Sequence, residues 1–248
     1  MGYVFDFHDA RSYAQSLLQQ PNQCAIALES QLMLNLLRPK SGDSVLDIGC
    51  GTGVNLDPLL AAGINLTGID PSPYMLDLAV NNWGHRVEFY RGYAEDLPFD
   101  DNSFNHACFF TSLEFVDDPA KAVEEACRVA KDKIFIGFLN RFALKGVQRR
   151  LKGVFTDTIF NRARFFSIWE LKAMVRETAG PVPIQWRTVL QLTSAKGKLT
   201  QAFEQSDLVQ RCPFGAFAGL VATLVPRFRT RPLAIRYQSK KTTTALTA

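Results

Sequence analysis

Short apolar runs recur along the first 140 residues at 44–48, 65–69, 86–90, 104–110 and 133–138. Each is followed by a stretch with apolar residues three and four apart or by a polar loop. Runs that are apolar on both faces suit strands buried in a parallel sheet, and the intervening period suits crossover helices. The pattern predicts helices over 9–20, 23–37, 54–62, from Pro73 onward, and 119–130. Pro73 and Pro119 suit a first helical turn, where no backbone donor is lost, and Gly63 suits a helix end. Beyond residue 140 the alternation loosens. Helices over 142–155 and 168–178 and strands over 182–190 and 215–224 are expected there, with a polar insertion over 191–214 and a basic, Thr-rich tail over 227–248. Alternation of this kind predicts an α/β fold: a seven-stranded, mostly parallel sheet with helices on both faces and an antiparallel hairpin at one edge.

The most specific segment is Ser44-Val-Leu-Asp-Ile-Gly-Cys-Gly-Thr-Gly-Val54, a strand running into a turn with glycine at 49, 51 and 53. A helix is expected to open at about Thr52 or Val54. Glycines let the backbone approach a ligand, and a helix start offers free N–H groups. A dinucleotide fingerprint spaces its glycines as Gly-x-Gly-x-x-Gly. Here the spacing is Gly-x-Gly-x-Gly with Asp47 two residues before the first glycine, and that carboxylate suits a cation better than a pyrophosphate. The segment resembles motif I of the class I S-adenosylmethionine-dependent methyltransferases.

Further segments follow the same family in order. Asp70 ends the second strand, 17 residues after Gly53, where the resemblance implies a bidentate acceptor for the ribose hydroxyls. Gly92-Tyr-Ala-Glu-Asp-Leu-Pro-Phe99 resembles the loop that reads the adenine edge, assigned here to Ala94 and Glu95 with Asp96 as the alternative. Thr111-Ser-Leu-Glu-Phe-Val-Asp-Asp-Pro119 resembles the segment after strand four in small-molecule methyltransferases. Glu124-Glu-Ala-Cys-Arg-Val129 resembles the family's Glu-x-x-Arg-Val helix end. Asn105 stands where the family usually has Asp and is expected to be structural. The resemblance covers about residues 40–140 and implies a Rossmann-like fold that binds S-adenosylmethionine through Asp47, Gly49, Cys50, Gly51, Gly53, Asp70, Pro71, Ala94, Glu95, Phe110 and Thr111. Within a single methyltransferase domain over 1–248 it implies an N-terminal helical lid (1–40), a cofactor-binding core (41–139), a helical substrate cap (140–180), C-terminal strands with an insertion (181–226) and the tail. Residues 1–38 and 140–180 are expected to carry specificity.

Composition narrows the rest. The 47% hydrophobic and 21% charged content is that of a soluble globular chain. Five cysteines, without Cys-x-x-Cys or histidines at ligand spacing, argue for reduced thiols and no metal site. No signal peptide and no apolar stretch long enough to span a bilayer is legible, which predicts a cytoplasmic protein. The +4 net charge divides into −11 over residues 1–130 (7 Lys/Arg, 18 Asp/Glu) and +15 over 131–248 (21 Lys/Arg, 6 Asp/Glu). The basic half reads either as solvated helix faces or as a surface for an anionic acceptor or an anionic membrane. Phe138, Phe142, Phe155, Phe160, Phe165 and Phe166 interleave with basic residues and suggest a cap over an apolar or aromatic small-molecule acceptor. No nucleic acid is expected as a partner.

Methyl transfer from a sulfonium needs alignment and a dry site more than acid–base machinery. No catalytic base is therefore assigned. His106 is expected to fill the core, His85 to lie exposed in a turn, and His8 to lie in the lid segment. Glu114 either faces the substrate or holds a loop. The expected activity is methyl transfer to a small apolar or aromatic acceptor, the alternatives being a protein or RNA methyltransferase or a non-catalytic cofactor-binding protein.

Overall fold

The computed structural model describes residues 2–143, 162–190, 204 and 206–225. In chain order these form α1 (Phe7–Leu17), α2 (Gln20–Leu37), β1 (Ser44–Ile48), α3 (Leu56–Ala61), β2 (Asn65–Asp70), α4 (Pro73–Trp83), β3 (Glu88–Arg91) and β4 (Phe104–Phe110). A 3-10 turn (Leu113–Phe115) follows, then α5 (Pro119–Val129), β5 (Ala130–Leu139), α6 (Ile168–Ala179), β6 (Ile184–Val189), α7 (Asp207–Gln210) and β7 (Phe217–Thr223). The expected helix over 142–155 falls almost wholly outside the described residues, as do Phe155, Phe160 and the tail.

The strands form one seven-stranded sheet in the order β3-β2-β1-β4-β5-β7-β6. Pairing is parallel from β3 to β5 and antiparallel where β7 inserts between β5 and β6. This is the predicted α/β architecture. The order reverses between β1 and β4, with Asp47 beside Gly68 on one side and Cys108 on the other. A crevice opens at the carboxyl ends of the strands at such a switch point, and ligands of doubly wound sheets bind there.

Strand periodicity sorts the core onto two faces. Leu46, Ala107, Phe109, Ile134, Ile136 and Phe138 pack toward α5 and α6, while Val45, Cys108, Phe110, Phe135 and Phe217 pack toward α2 and α3. Both layers exclude water, so the central strands are mostly apolar toward their carboxyl ends. Asp47 is a buried carboxylate in that stretch, on the α2 side.

Helix starts obey local chemistry. The Asp6 side chain caps α1 in a reciprocal box with Asp9, Ser72 caps α4, Asp118 caps α5, and Ser167 forms a box with Glu170 at α6. Pro73 and Pro119 occupy first-turn positions as expected. The helix after β1 is the clearest departure. It begins at Leu56, later than 52 or 54; a start at 52 would have put Gly53, with φ +74°, inside a right-handed helix. Strand β5 starts at Ala130, directly at the end of α5, three residues earlier than expected. A four-residue helix, α7, lies within the stretch read as a polar insertion.

Two features at the opposite, amino-terminal edge of the sheet are structural. Asn105 accepts hydrogen bonds from the Ser44 N–H and hydroxyl at 3.1 Å each and donates to Asp132 at 2.8 Å, which pins β1, β4 and β5 together. His106 is buried and its Nε2 meets Asp43 at 3.1 Å. The described phenylalanines of the expected cap cluster do not act as a unit. Phe138 and Phe166 are fully buried in the sheet's own core, whereas Phe142 is exposed and stacks edge-on against Trp169.

Phe217 is wholly buried beside Phe110, with ring centroids 5.3 Å apart. Replacing it with alanine leaves a ring-sized cavity under the central strands. Phe217→Ala should lower the unfolding free energy by about 3–5 kcal/mol in urea titrations, with an unchanged slope against denaturant.

Candidate active site

The loop after β1 turns on three glycines with positive φ, +72° at Gly49, +53° at Gly51 and +74° at Gly53. Their surroundings differ. A Cβ on Gly49 would collide with the Ser112 side chain, and one on Gly53 would lie 2.8 Å from Trp83. A Cβ on Gly51 would meet nothing within 4 Å. Gly49 and Gly53 are thus glycine because protein packs on them. Gly51 presents bare backbone to open space, as a close-approaching ligand requires.

Two carboxylates flank that backbone. Asp70 is buried, accepting the Gly51 N–H on Oδ2 at 2.9 Å and the Ser72 N–H on Oδ1 at 2.8 Å. Burial raises its pKa to about 6 despite both hydrogen bonds. Asp47 is also buried, makes no hydrogen bond among the described residues, and is pushed to about 7 by burial and then by the charge of Asp70. A third buried acid, Glu114, follows β4 and is raised to about 7, chiefly by burial. Tyr13 of α1 registers all three, together with Glu29 of α2: burial first, then these negative charges, raise its phenol to about 12. Buried carboxylates without a cationic partner are costly, and a cationic ligand removes that cost.

The other expected cofactor residues are distributed as follows. Cys50 is buried, its sulfur against Gly68, and burial pushes its thiol well above the usual range. The Pro71 carbonyl accepts Arg91 Nε at 3.3 Å. Ala94 is buried in the 92–99 loop. Glu95 Oε1 accepts the Asp117 and Asp118 N–H groups at 3.0 and 3.3 Å, which ties that loop to the start of α5. Asp96 is exposed. Phe110 sends its ring into the core between Phe135 and Phe217, leaving its backbone at the strand end. Thr111 turns the chain with φ +51° and donates its N–H to Gly137 at 2.8 Å. His8 and His85 are exposed.

Several contributors were not singled out from sequence. Ser112 donates to the Ile48 carbonyl at 2.6 Å and covers Gly49, which locks the β4 loop onto the glycine turn. Glu125 and Arg128 hold the 92–99 loop from below. Glu125 Oε2 accepts the Leu97 N–H at 2.9 Å, while Arg128 donates to the Leu97 and Phe99 carbonyls at 2.9 and 2.7 Å and pairs with Glu125. The Glu-x-x-Arg pattern on α5 was legible, but its purpose was not. The spacing puts both side chains on one helix face, and only the fold shows what that face meets.

The N-terminal segment lies across the crevice. Tyr3 N–H donates to the Phe115 carbonyl at 2.8 Å, and the Ser72 hydroxyl donates to the Phe5 carbonyl at 2.6 Å. Tyr3, Phe5, Tyr13 and Phe115 form a run of tilted and edge-on ring contacts. The Arg162 guanidinium stacks over Tyr3, 4.6 Å from the ring centroid, and bonds its hydroxyl, which in turn bonds Asp9.

A glycine turn with one open face, a carboxylate at the end of β2 and a buried unpartnered carboxylate in β1 match what S-adenosylmethionine offers: an adenosine with ribose hydroxyls, an ammonium and a sulfonium. Residues 46–136 match the methyltransferase domain family. Over 95 residues the chain is 37% identical to a demethylmenaquinone methyltransferase of Clavibacter sepedonicus, covering 38% of this chain and 39% of that one. Over 124 residues it is 32% identical to a ubiquinone biosynthesis O-methyltransferase of Aromatoleum aromaticum, covering 45% and 53%. The matches to the first curated relatives span about two fifths of those proteins' length. Among solved structures, an S-adenosylmethionine-dependent methyltransferase of Thermotoga maritima, described as a possible histamine N-methyltransferase, superposes with a TM-score of 0.68 at 25% identity. The superposition covers 88% of this chain and 96% of that one.

Two predictions follow from this geometry. Because burial raises Asp47 and Asp70, both take up protons as pH falls through about 7 and 6, and a protonated pair no longer favours a cation. Affinity for S-adenosylmethionine should therefore rise from pH 5.5 to 8 and level above that, by up to tenfold per pH unit for each proton released. Calorimetry across that range reads it directly. The sign for the free protein is opposite: folding keeps protons that the unfolded chain loses near pH 4, so this pair lowers stability as pH rises toward 7. The thermal shift caused by cofactor should accordingly be larger at pH 8 than at pH 6.

The second prediction separates ligand contact from packing. Gly51→Ala should cost about 1–2 kcal/mol of stability for its left-handed backbone, leave the fold intact and weaken S-adenosylhomocysteine binding at least tenfold. Arg128→Ala should also weaken binding by about five- to a hundred-fold, through loss of charged hydrogen bonds to the loop, although Arg128 lies beneath the loop. An Arg128→Ala protein that binds normally would mean that the 92–99 loop does not carry the adenine site.

Proposed function

We propose that the chain is an enzyme that transfers a methyl group from S-adenosylmethionine to a small, apolar or aromatic acceptor by in-line displacement. The observation that carries this reading is the junction of an acid-lined cofactor crevice with an aromatic strap. Asp47, Asp70 and the open face of Gly51 suit the cofactor, and Tyr3, Phe5, Tyr13 and Phe115 lie next to them. Asp70 would hold the ribose hydroxyls, Ala94 and Glu95 the adenine, and the backbone at 49–53 and 110–111 the methionine end. Burial of the reacting groups under the strap excludes water, which a sulfonium transfer needs. Relatives named for quinone biosynthesis support an aromatic acceptor.

Among the described residues no group of three or more His, Cys, Asp or Glu is arranged to hold a metal ion, and no helix is long and apolar enough to cross a membrane. Peripheral contact with anionic lipid rests on the +15 balance of residues 131–248, many of which lie outside the described residues. Binding to anionic but not neutral vesicles, weakening with salt, would support it.

Purified protein incubated with methyl-labelled S-adenosylmethionine and a fractionated lysate should place label in small apolar products. Label in protein or RNA would favour a macromolecular acceptor. Cofactor binding without transfer to any fraction would favour a non-catalytic binder.

A further inference from the structure

Glu114 lies in the 3-10 turn just past the central strand β4 and is 2% exposed. Its Oε1 accepts the Leu139 N–H at the end of β5, at 2.7 Å, whereas its Oε2 is buried with no hydrogen-bond partner among the described residues. The turn is fixed on both sides, because the Glu114 carbonyl accepts the Arg164 N–H at 2.8 Å and the next carbonyl, of Phe115, accepts that of Tyr3. A buried carboxylate oxygen left bare is costly, so its retention beside the cofactor crevice calls for a partner that arrives with the ligand.

We propose that Glu114 is the general base of the transfer, its Oε2 taking the proton from the O–H or N–H of the acceptor atom that is methylated. This deepens the methyltransferase reading above and rests on it. It also narrows the acceptor class to phenols, catechols, hydroquinones and amines whose nucleophilic atom carries a hydrogen. In the step, a lone pair on the acceptor oxygen or nitrogen forms the new bond to the methyl carbon. The carbon–sulfur bond breaks with its electron pair going to sulfur, and the sulfonium becomes the thioether of S-adenosylhomocysteine. The acceptor's proton passes to Oε2, and the neutral acid returns it to solvent when the products leave.

The surroundings suit that exchange. Burial is the main cause that lifts the Glu114 carboxyl to about 7, and Glu29 of α2 adds to it. From α1 the facing group is the Tyr13 phenol, which stays protonated. Among the described residues the cations are engaged elsewhere: Arg162 on Tyr3, Arg164 over the Phe166 ring, Arg141 on Glu170 and the Phe165 carbonyl, and Arg128 of α5 on Glu125. A base operating near neutral pH needs that poise between ionised and neutral forms.

Glu114→Gln keeps the size and the acceptor for Leu139, so a purely structural strut survives it and a base does not. The wild type and this variant would be compared with labelled S-adenosylmethionine and two probe acceptors, catechol and benzylamine, from pH 5.5 to 9. At saturating S-adenosylmethionine, the wild-type kcat/KM for the acceptor should rise through about pH 7 and level off. Glu114→Gln should lose about 100- to 1000-fold and the inflection with it, with S-adenosylhomocysteine affinity unchanged within about twofold. Whichever probe is methylated assigns the acceptor atom. A Glu114→Gln enzyme with undiminished rate and the same pH profile overturns the proposal while leaving the methyltransferase reading standing. If the wild type binds S-adenosylhomocysteine yet methylates neither probe, the acceptor class assigned above is what fails. Infrared difference spectra of the S-adenosylhomocysteine complex, wild type against Glu114→Gln, then decide the role of Glu114. A carboxyl band lost on raising pH through about 7 supports the base, and a group wholly protonated or wholly ionised from pH 5 to 9 overturns it.

Discussion

Much of this molecule's carboxyl edge depends on keeping carboxylates out of water without giving them cations from among the described residues. Asp47 breaks an otherwise apolar strand, Asp70 closes the next, and Glu114 follows the central one. All three are buried, and burial raises each. Such a set is tolerable because the sheet's switch point brings it to a crevice that a ligand can enter, and because Asp70 is partly compensated by the Gly51 and Ser72 N–H groups. The arrangement suits a cationic ligand, whose binding would supply the charge that folding left out.

Rigid packing supports that arrangement from two directions. Under the 92–99 loop, Glu125 and Arg128 satisfy the backbone of Leu97 and Phe99, so the loop's position is set by a helix rather than by its own turns. Above the glycine turn, Ser112 fastens the end of β4 to the end of β1. Site precision comes from such supporting contacts more than from the ligand-facing residues themselves.

The N-terminal strap closes the remaining side with aromatic surface. Its hydrogen bonds reach from the β2–α4 connection to the turn after β4, and Arg162 clasps it from the far end of the chain. The strap and α1 thereby bring the Tyr3, Phe5 and Tyr13 rings together with Phe115.

Periodicity and punctuation alone determined the seven-stranded, mostly parallel sheet and the helix starts at Pro73 and Pro119, because burial on both faces and fixed proline φ are local chemical facts. The glycine spacing with Asp47 likewise announced a cofactor turn. Tertiary structure decided what spacing cannot carry: that Gly51 alone faces open space while Gly49 and Gly53 are packed, and that the Phe110 ring belongs to the core. It likewise decided that Phe138 and Phe166 fill the sheet rather than a cap, and that Glu125, Arg128 and Ser112 brace the site. Each of these depends on which residue from a distant segment arrives opposite, across separations of 28 to 64 residues in the case of the braces. Side-chain chemistry is written in the sequence, whereas the neighbour that gives it a purpose exists only once the chain has folded.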